Sequence, residues 1–401
     1  MHILEIPSFF TPYGGEFCLE QAKALKALGH EVHILSNVQL GITIGGKDFL
    51  VLPSCRFEYE CQGVDIYQSY QRGWPLMVHH NVMRWVAIVK SMFADYIRKH
   101  GCPDILHAHC AKWAGYAAML IGKAYGIPYV ITEHLPRLIL EQELGEAPST
   151  AWQIPLLKEA YHEAAQVITV SDEQVDELAC YFGRDYRHVT ISNVVDTDFY
   201  AFKKRQPLDG RPFVFCCPAL FSHRKGYDVL FRSFALLAKD RSGVELHIAG
   251  RGTDSKACRR LIHSCGLEGR VTCHGTQDAD GVRRLYYQSD ALVLATRNES
   301  QGLVIAEAMS TGIPAISTQG VPKSMQLDGG YRYVPVGDAE TLMMEMRKAV
   351  IRPVTEEEGR RMAEVVKKRF SPSVIGAQIA EVMTGTWLRS GGQSVYNHDA
   401  S

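Results

Sequence analysis

Apolar positions along this chain switch repeatedly between a period of two and a period near 3.6. HILEI (2–6) reads as a strand, Phe17, Gln21, Ala24, Leu25 and Leu28 recur at helical spacing up to Gly29, and EVHILS (31–36) is a strand again. That is a βαβ opening. Further apolar runs at DILHAH (104–109), PYVIT (128–132) and QVITVS (166–171), separated by helical or loop segments, predict an open parallel sheet covered on both faces. From Asn193 to Phe213 the chain turns polar and charged, carries Pro207, Gly210 and Pro212, and loses its periodicity, which predicts a linker. The pattern then restarts with FVFCC, VELHIAG, RVTCHG, ALVLAT, PAIST and YRYVPV, six candidate strands with helical segments such as YDVLFRSFALLAK between them. Two doubly wound α/β domains are therefore expected, over 1–200 and 205–372. A final helical segment, 374–401, is expected to pack back onto the first. Two long stretches of the first half, FEYECQGVDIYQSYQRGWPLM (57–77) and LPRLILEQELGEAPSTAWQ (135–153), read as irregular loops.

A length of 401 residues exceeds what one core fills, in keeping with two domains. With 46% apolar residues, 22% charged residues and a net charge of −1, bulk charge gives no argument for nucleic acid or an anionic membrane. The eleven cysteines contain no CxxC pair, so a disulfide framework or zinc knuckle is not suggested and a cytoplasmic setting fits. Glu5 and Pro7 stand where a signal peptide would need a basic start and an unbroken apolar run. No stretch has the 18 or so apolar residues of a membrane span, which leaves peripheral contact at the inner membrane face open.

Open α/β sheets bind ligands beyond the carboxyl ends of their strands, so chemistry is sought there. After the first strand, Gly14-Gly15 opens a helix whose N–H groups suit an anion, or simply makes a tight turn. His107 and His109 end DILHAH and His134 follows YVITE, presenting imidazoles at two strand tips. The run HAHC, with Cys110, has no acid at ligand spacing nearby, and no metal is expected. In the second half, Arg224 and Lys225 precede Gly226 in the loop after the first strand, where two cations suit a diphosphate or form a solvated pair. Gly250 and Gly252 in VELHIAGRGTD mark another close approach or turn.

The stretch RNESQGLVIAEAMSTGIP (297–314) says more. It predicts a turn at Ser300-Gln301-Gly302 and then a helix, whose first N–H groups at Gly302, Leu303 and Val304 are oriented for a phosphate. Glu307 lies about one and a half turns in, within reach of a vicinal diol. Glu299 is expected to face further out, towards a sugar. One carboxylate for a ribose and one for a sugar, with a diphosphate between, accounts for the eight-residue spacing.

Those residues resemble the retaining glycosyltransferases of family 4, which have the GT-B fold: two facing Rossmann-like domains with a cleft between them. The resemblance runs over nearly the full length. It rests on the E-x7-E pair Glu299 and Glu307 with EAMSTGIPAIST, and on PYGGEFCLEQAKALKALGHEVHILS, ILHAHCAKWAGYAAMLIGKAYGIPYVITEH, ITVSDEQ, SNVVDTDFY and RKGYDVL. It implies that Gly15 gives a backbone contact, that His134 lines the reaction centre and that Lys225 holds the diphosphate; His109, at its strand tip, is assigned to the acceptor side from its position alone. It further implies that Glu299 touches the transferred sugar, Gly302 to Val304 the phosphates, and Glu307 the ribose. Two departures stand out. Ala219 and Leu220 occupy the place of the family's arginine, for which Arg224 is the available substitute, and Ser300-Gln301-Gly302 replaces Gly-Phe-Gly.

What the resemblance implies is a metal-independent, cofactor-free transfer of a sugar, with retention, from a nucleotide diphosphate sugar to a hydroxyl acceptor. The acceptor would be a glycan, a lipid-linked molecule or a small molecule, in surface-polysaccharide or glycoconjugate synthesis. The leaving diphosphate would deprotonate the incoming hydroxyl in a same-face substitution. Alternatives are a GT-B nucleotide-sugar 2-epimerase and an inactive sugar-nucleotide-binding partner.

Overall fold

In the computed structural model, which describes residues 1–391 apart from 13, 42–46, 53–54, 146–147 and 328, the chain divides into two compact units. Met1–Val194 and Pro372–Ser401 make one, and Val195–Ser371 the other. The strands of the first are β1 (His2–Pro7), β2 (Glu31–Leu40), β3 (Arg56–Cys61), β4 (Val64–Arg72), β5 (Ile105–His109), β6 (Tyr129–Glu133), β7 (Gln166–Thr169) and β8 (His188–Thr190). They order as β3-β4-β2-β1-β5-β6-β7-β8, and the direction of winding reverses between β1 and β5. Strand alternation splits the core. Leu4, Ile6, Leu106, Ala108 and Ile131 pack on one face, and Ile3, Ile105, Val130 and Ile168 on the other, under the helices Glu16–Ala27 and Pro372–Arg389. Gly376 of the last helix lies against Ala24, where an added Cβ would come within 3.1 Å of the Ala24 Cβ.

The second unit holds β9 (Phe213–Pro218), β10 (Val244–Ala249), β11 (Val271–Cys273), β12 (Ala291–Leu294), β13 (Ala315–Thr318) and β14 (Tyr331–Val334). All pair in parallel, in the order β11-β10-β9-β12-β13-β14. Counted within the unit this is 3-2-1-4-5-6, the dinucleotide-fold order, with its switch point between β9 and β12. The predicted segments FVFCC, VELHIAG, RVTCHG, ALVLAT, PAIST and YRYVPV are these six strands.

Three expectations change. The stretch 57–77 is not an irregular loop: β3 and β4 form an antiparallel hairpin around Gln62 and Gly63, both at positive φ (50° and 80°). That two-residue turn matches the twist of the strands it joins, but glutamine at its first position is a weak signal beside the usual Asn or Asp. The first sheet is therefore mixed, not wholly parallel. The stretch 135–153 carries the helices Arg137–Leu144 and Pro148–Ala151 and runs into the helix Gln153–Glu163, while its residues 146–147 lie outside the described ones. The supposed linker is largely built into the second unit. Val195 N donates to Phe370 O (2.9 Å), Lys203 N to Thr311 O (3.1 Å), and Arg205 to the carbonyls of Tyr286 and Thr311. The boundary thus falls at 194/195 instead of 200/205. Of the predicted helix 374–401, residues 392–401 lie outside the described part.

Candidate functional site

At the switch point of the second unit, the loop after β9 and the loop after β12 are joined along their backbones. Arg297 N donates to Arg224 O (2.7 Å), and Thr296 Oγ1 lies 3.2 Å from the same carbonyl. Gly226 makes that contact feasible: it sits at φ 66°, and a Cβ there would stand 1.9 Å from Ala295 O. The residues before it, His223–Lys225, form a single 3-10 turn, which carries Arg224 and Lys225 over the same carboxylate. Lys225 Nζ donates to Glu299 Oε1 (2.6 Å) and Arg224 Nη1 to Glu299 Oε2 (3.0 Å). Thr296 Oγ1 adds a bond to Oε1 (2.8 Å), and Arg224 also reaches Asn298 O (2.7 Å). All three charged side chains are largely buried, at 13%, 12% and 8% exposure for Arg224, Lys225 and Glu299. Burial alone would raise the Glu299 carboxyl, but Lys225 and Arg224 outweigh it and hold it below the ordinary glutamate range. The expectation that Glu299 faces outward is thereby corrected: it faces inward because two cations from the neighbouring loop need a counter-charge in a largely dry site.

The helix Leu303–Ser310 starts two residues after the buried Gln301, with Gly302 as its N-cap at φ 88°. Ile305 N closes the first turn onto Gly302 O (2.9 Å), so the Leu303 and Val304 amides lie at the helix start, where an anion is stabilised. Glu307, one turn further, is half-buried, and its Oε2 accepts from the hydroxyl of the fully buried Tyr286 (2.8 Å). Burial and the Glu307 charge both push the Tyr286 hydroxyl far up, so it stays protonated and donates to that carboxylate.

In the first unit, Gly15 caps the helix Glu16–Ala27 at φ 86°. A Cβ there would meet Phe9 O at 2.2 Å, so the loop after β1 closes only with glycine. Next to that loop, the parallel register of β1 and β5 sets Glu5 beside His107 and Pro7 beside His109. Glu5, His107 and His109 alternate with apolar neighbours and so share one face of the sheet, fully buried. The notion that HAHC has no acid nearby is therefore wrong. The acid comes from another strand, 102 positions earlier, where sequence spacing could not show it.

Glu5 Oε2 lies 2.8 Å from His107 Nδ1 and 2.5 Å from His109 Nε2. Two donors on one tetrahedral ion, each about 2.0–2.1 Å from it, stand roughly 3.3 Å apart. The 2.5 Å separation to His109 is that of a hydrogen bond, and His107 Nδ1 stands near the same oxygen as a close polar contact. His107 Nε2 meets Thr132 Oγ1 (2.6 Å) and His109 Nδ1 meets His134 Nε2 (3.0 Å). The His134 ring also stacks on Phe17, with centroids 3.7 Å apart. Instead of standing open at its strand tip, as the sequence suggests, His134 is thus covered by the first turn of the Gly15-capped helix. Burial drives His109 down to about 4 and His134 well below the ordinary histidine value, so both are neutral near pH 7. Burial opposes the Glu5 carboxylate, but His107 and His109 outweigh it and keep it ionised.

Two family models cover this architecture almost end to end. The model described as Glycosyltransferase Family 4 matches residues 14–199, and the one described as Glycosyl transferases group 1 matches 198–369. The chain belongs to the family 4 glycosyltransferases. A D-inositol 3-phosphate glycosyltransferase of Arthrobacter sp. is 27% identical over 253 residues, which is 58% of this chain and 59% of that protein. The match thus spans less than two thirds of that relative. Among solved structures, the sucrose-phosphate synthase of Thermosynechococcus elongatus superposes with a TM-score of 0.78 at 17% identity, covering 97% of this chain and 100% of that one. Anabaena HepE in complex with UDP-glucose gives 0.70 at 19%, covering 96% and 100%. At those identities the likeness establishes the GT-B fold. No helix among the described residues of this glycosyltransferase is long and apolar enough to cross a membrane.

Within the second unit, Arg224, Lys225 and Glu299 form one cluster, and Gly302, Leu303, Val304 and Glu307 follow along the same loop and helix. In the first, His109 and His134 are bonded partners and Gly15 opens the helix above them. Sequence reading missed Glu5 and Tyr286, which act on predicted residues from another strand and another helix, and Thr296, three residues before Glu299 in the same loop. Only the presence of an acid inside the apolar run HILEI hinted at any of them.

Proposed function

We propose that this glycosyltransferase moves a sugar from a nucleotide diphosphate sugar to a hydroxyl acceptor with retention of configuration, without a metal. The observation that carries the reading is the convergence of Arg224 and Lys225 on one buried spot at the switch point, beside the start of the helix Leu303–Ser310. Departure of a nucleoside diphosphate concentrates negative charge. Two guanidinium and ammonium donors, fixed beforehand in a site with little water, stabilise that charge with little reorganisation. Glu299 holds both cations in place and leaves the cluster a net charge of +1 to set against an arriving diphosphate.

Arg224 takes over from the arginine that the family carries where this chain has Ala219 and Leu220. That supports an active enzyme over an inactive binding partner. Glu307, oriented by Tyr286, serves the ribose diol. Anabaena HepE, similar in fold, was solved in complex with UDP-glucose, which supports a nucleotide-sugar donor. For the acceptor we favour a lipid-linked or glycan hydroxyl at the inner membrane face. The first unit exposes Leu50, Val51, Trp74, Leu76 and Met77, and Trp74 packs edge-on against Phe49.

The test is a panel of UDP-, GDP- and ADP-sugars read first by thermal shift and then, for the donor that stabilises, by NMR of the product's anomeric centre. A product with the donor's anomeric configuration supports the reading. Inversion, or C2 epimerisation of the donor without an acceptor, rejects it.

A further inference from the structure

At the amino ends of its strands, the first sheet brings together imidazoles and acids that the chain keeps far apart. The parallel register sets His2 of β1 beside Glu31 of β2, and His33 of β2 beside Asp65 of β4. Glu31 and His33 are two apart on one strand, so the four side chains share the face on which Leu4 and Leu35 pack under the helix Val78–His100. The ligand atoms of His2, Glu31 and His33 lie within 4.8 Å of one another. We propose that His2, Glu31, His33 and Asp65 bind one divalent transition-metal ion of the Zn2+ type, which ties the starts of β1, β2 and β4 together.

Distances set this cluster apart from Glu5 and His109, which are hydrogen-bonded at 2.5 Å. Here His33 Nε2 stands 3.6 Å from Asp65 Oδ2 and 4.0 Å from Glu31 Oε1, too far for a direct hydrogen bond. A tetrahedral ion with ligands at about 2.0–2.1 Å spaces them roughly 3.3 Å apart. The Glu31 and Asp65 side chains are 58% and 50% exposed, so rotation about their own bonds closes the difference and the strands stay in place.

Both imidazoles are held from behind. The Tyr96 hydroxyl lies 2.5 Å from His2 Nε2 and 2.6 Å from His33 Nδ1. His33 therefore turns Nε2 towards the acids, and its other nitrogen has the hydrogen-bond partner that orients a metal-bound histidine. When the ion binds, His2 exchanges the Tyr96 hydroxyl for the metal, while Tyr96 keeps His33 Nδ1. The phenol ring is itself fixed by His100, which stacks on it at 5.0 Å and meets the Tyr67 hydroxyl at 2.7 Å. Two imidazoles with two carboxylates favour Zn2+ and its neighbours over Mg2+ or Ca2+, which take oxygen ligands. The site lies at the opposite ends of the strands from Gly15, His109 and His134, so its task is to stabilise the first unit, and transfer does not run through it.

The experiment is calorimetric titration of Zn2+ into the full chain after dialysis against EDTA, paired with melting curves. The expected result is one ion bound per chain and a melting temperature that rises with Zn2+ but not with Mg2+. Tyr96→Phe should weaken Zn2+ binding about 10- to 100-fold, the range for a lost orienting bond. The double variant Glu31→Gln/Asp65→Asn, confined to exposed side chains that leave the core intact, should weaken it further and abolish the shift in melting temperature. Absence of Zn2+ binding by the unaltered protein overturns the proposal. So does binding that the double variant leaves unchanged, which would place the ion on other residues such as the cysteines.

Discussion

Lys225 and Glu299 are joined at 2.6 Å across two loops that the chain separates by 74 residues, and Arg224 takes the second carboxylate oxygen at 3.0 Å. The Glu299 carboxyl is held below its ordinary value of 4.5, so the folded state binds this proton less readily than the unfolded chain. Its stabilising contribution is therefore complete above the ordinary glutamate pKa and is lost as pH falls through the lower folded value. Glu299→Gln should lower the melting temperature at pH 7, and the gap between variant and unaltered protein should close at acid pH. Melting curves across that range check this; a gap that persists at low pH contradicts it.

Tyr286 gives Glu307 a fixed orientation. Tyr286→Phe removes one neutral-to-charged hydrogen bond at a half-buried site, so nucleotide affinity should fall by roughly 3- to 10-fold. Glu307→Ala should go further and bind a 2′,3′-dideoxy nucleotide and the ordinary nucleotide alike. Calorimetric titration decides it, and continued discrimination between the two ligands would move the ribose contact to another residue.

Chelation should leave transfer unchanged, because Arg224 and Lys225 supply the positive charge that an ion would otherwise bring to the phosphates. Turnover abolished by EDTA and restored by manganese would reject the metal-independent mechanism.

How much of this was legible beforehand depends on the range over which each signal acts. The six strands of the second sheet could be read because each is a short apolar run between turn residues, and that is local information. The hairpin at 56–72 was hidden by its tyrosines and acids: β3 has exposed and half-exposed residues in alternation, without the apolar face that marks a strand. Arg224, Lys225 and Glu299 were each visible as charged residues in loops after strands. That two of them would bind the third depended on the approach permitted by Gly226 and on parallel pairing of β9 with β12, neither of which has a sequence spacing. Glu5 is the sharpest case. Its partners His107 and His109 become neighbours only through the register of β1 with β5.

The most direct test of the cation pair is calorimetric titration of the preferred nucleoside diphosphate, and of its nucleoside, into the unaltered protein, Lys225→Ala and Arg224→Ala. Each removed cation takes away a charged hydrogen bond of about 1.5–3 kcal/mol, which corresponds to roughly a 10- to 150-fold loss. Lys225→Ala should therefore weaken the diphosphate at least about tenfold, Arg224→Ala should weaken it too, and the nucleoside should bind as before. A diphosphate affinity untouched by Lys225→Ala, or an equal loss for the nucleoside, would contradict the assignment of this cluster to the phosphates.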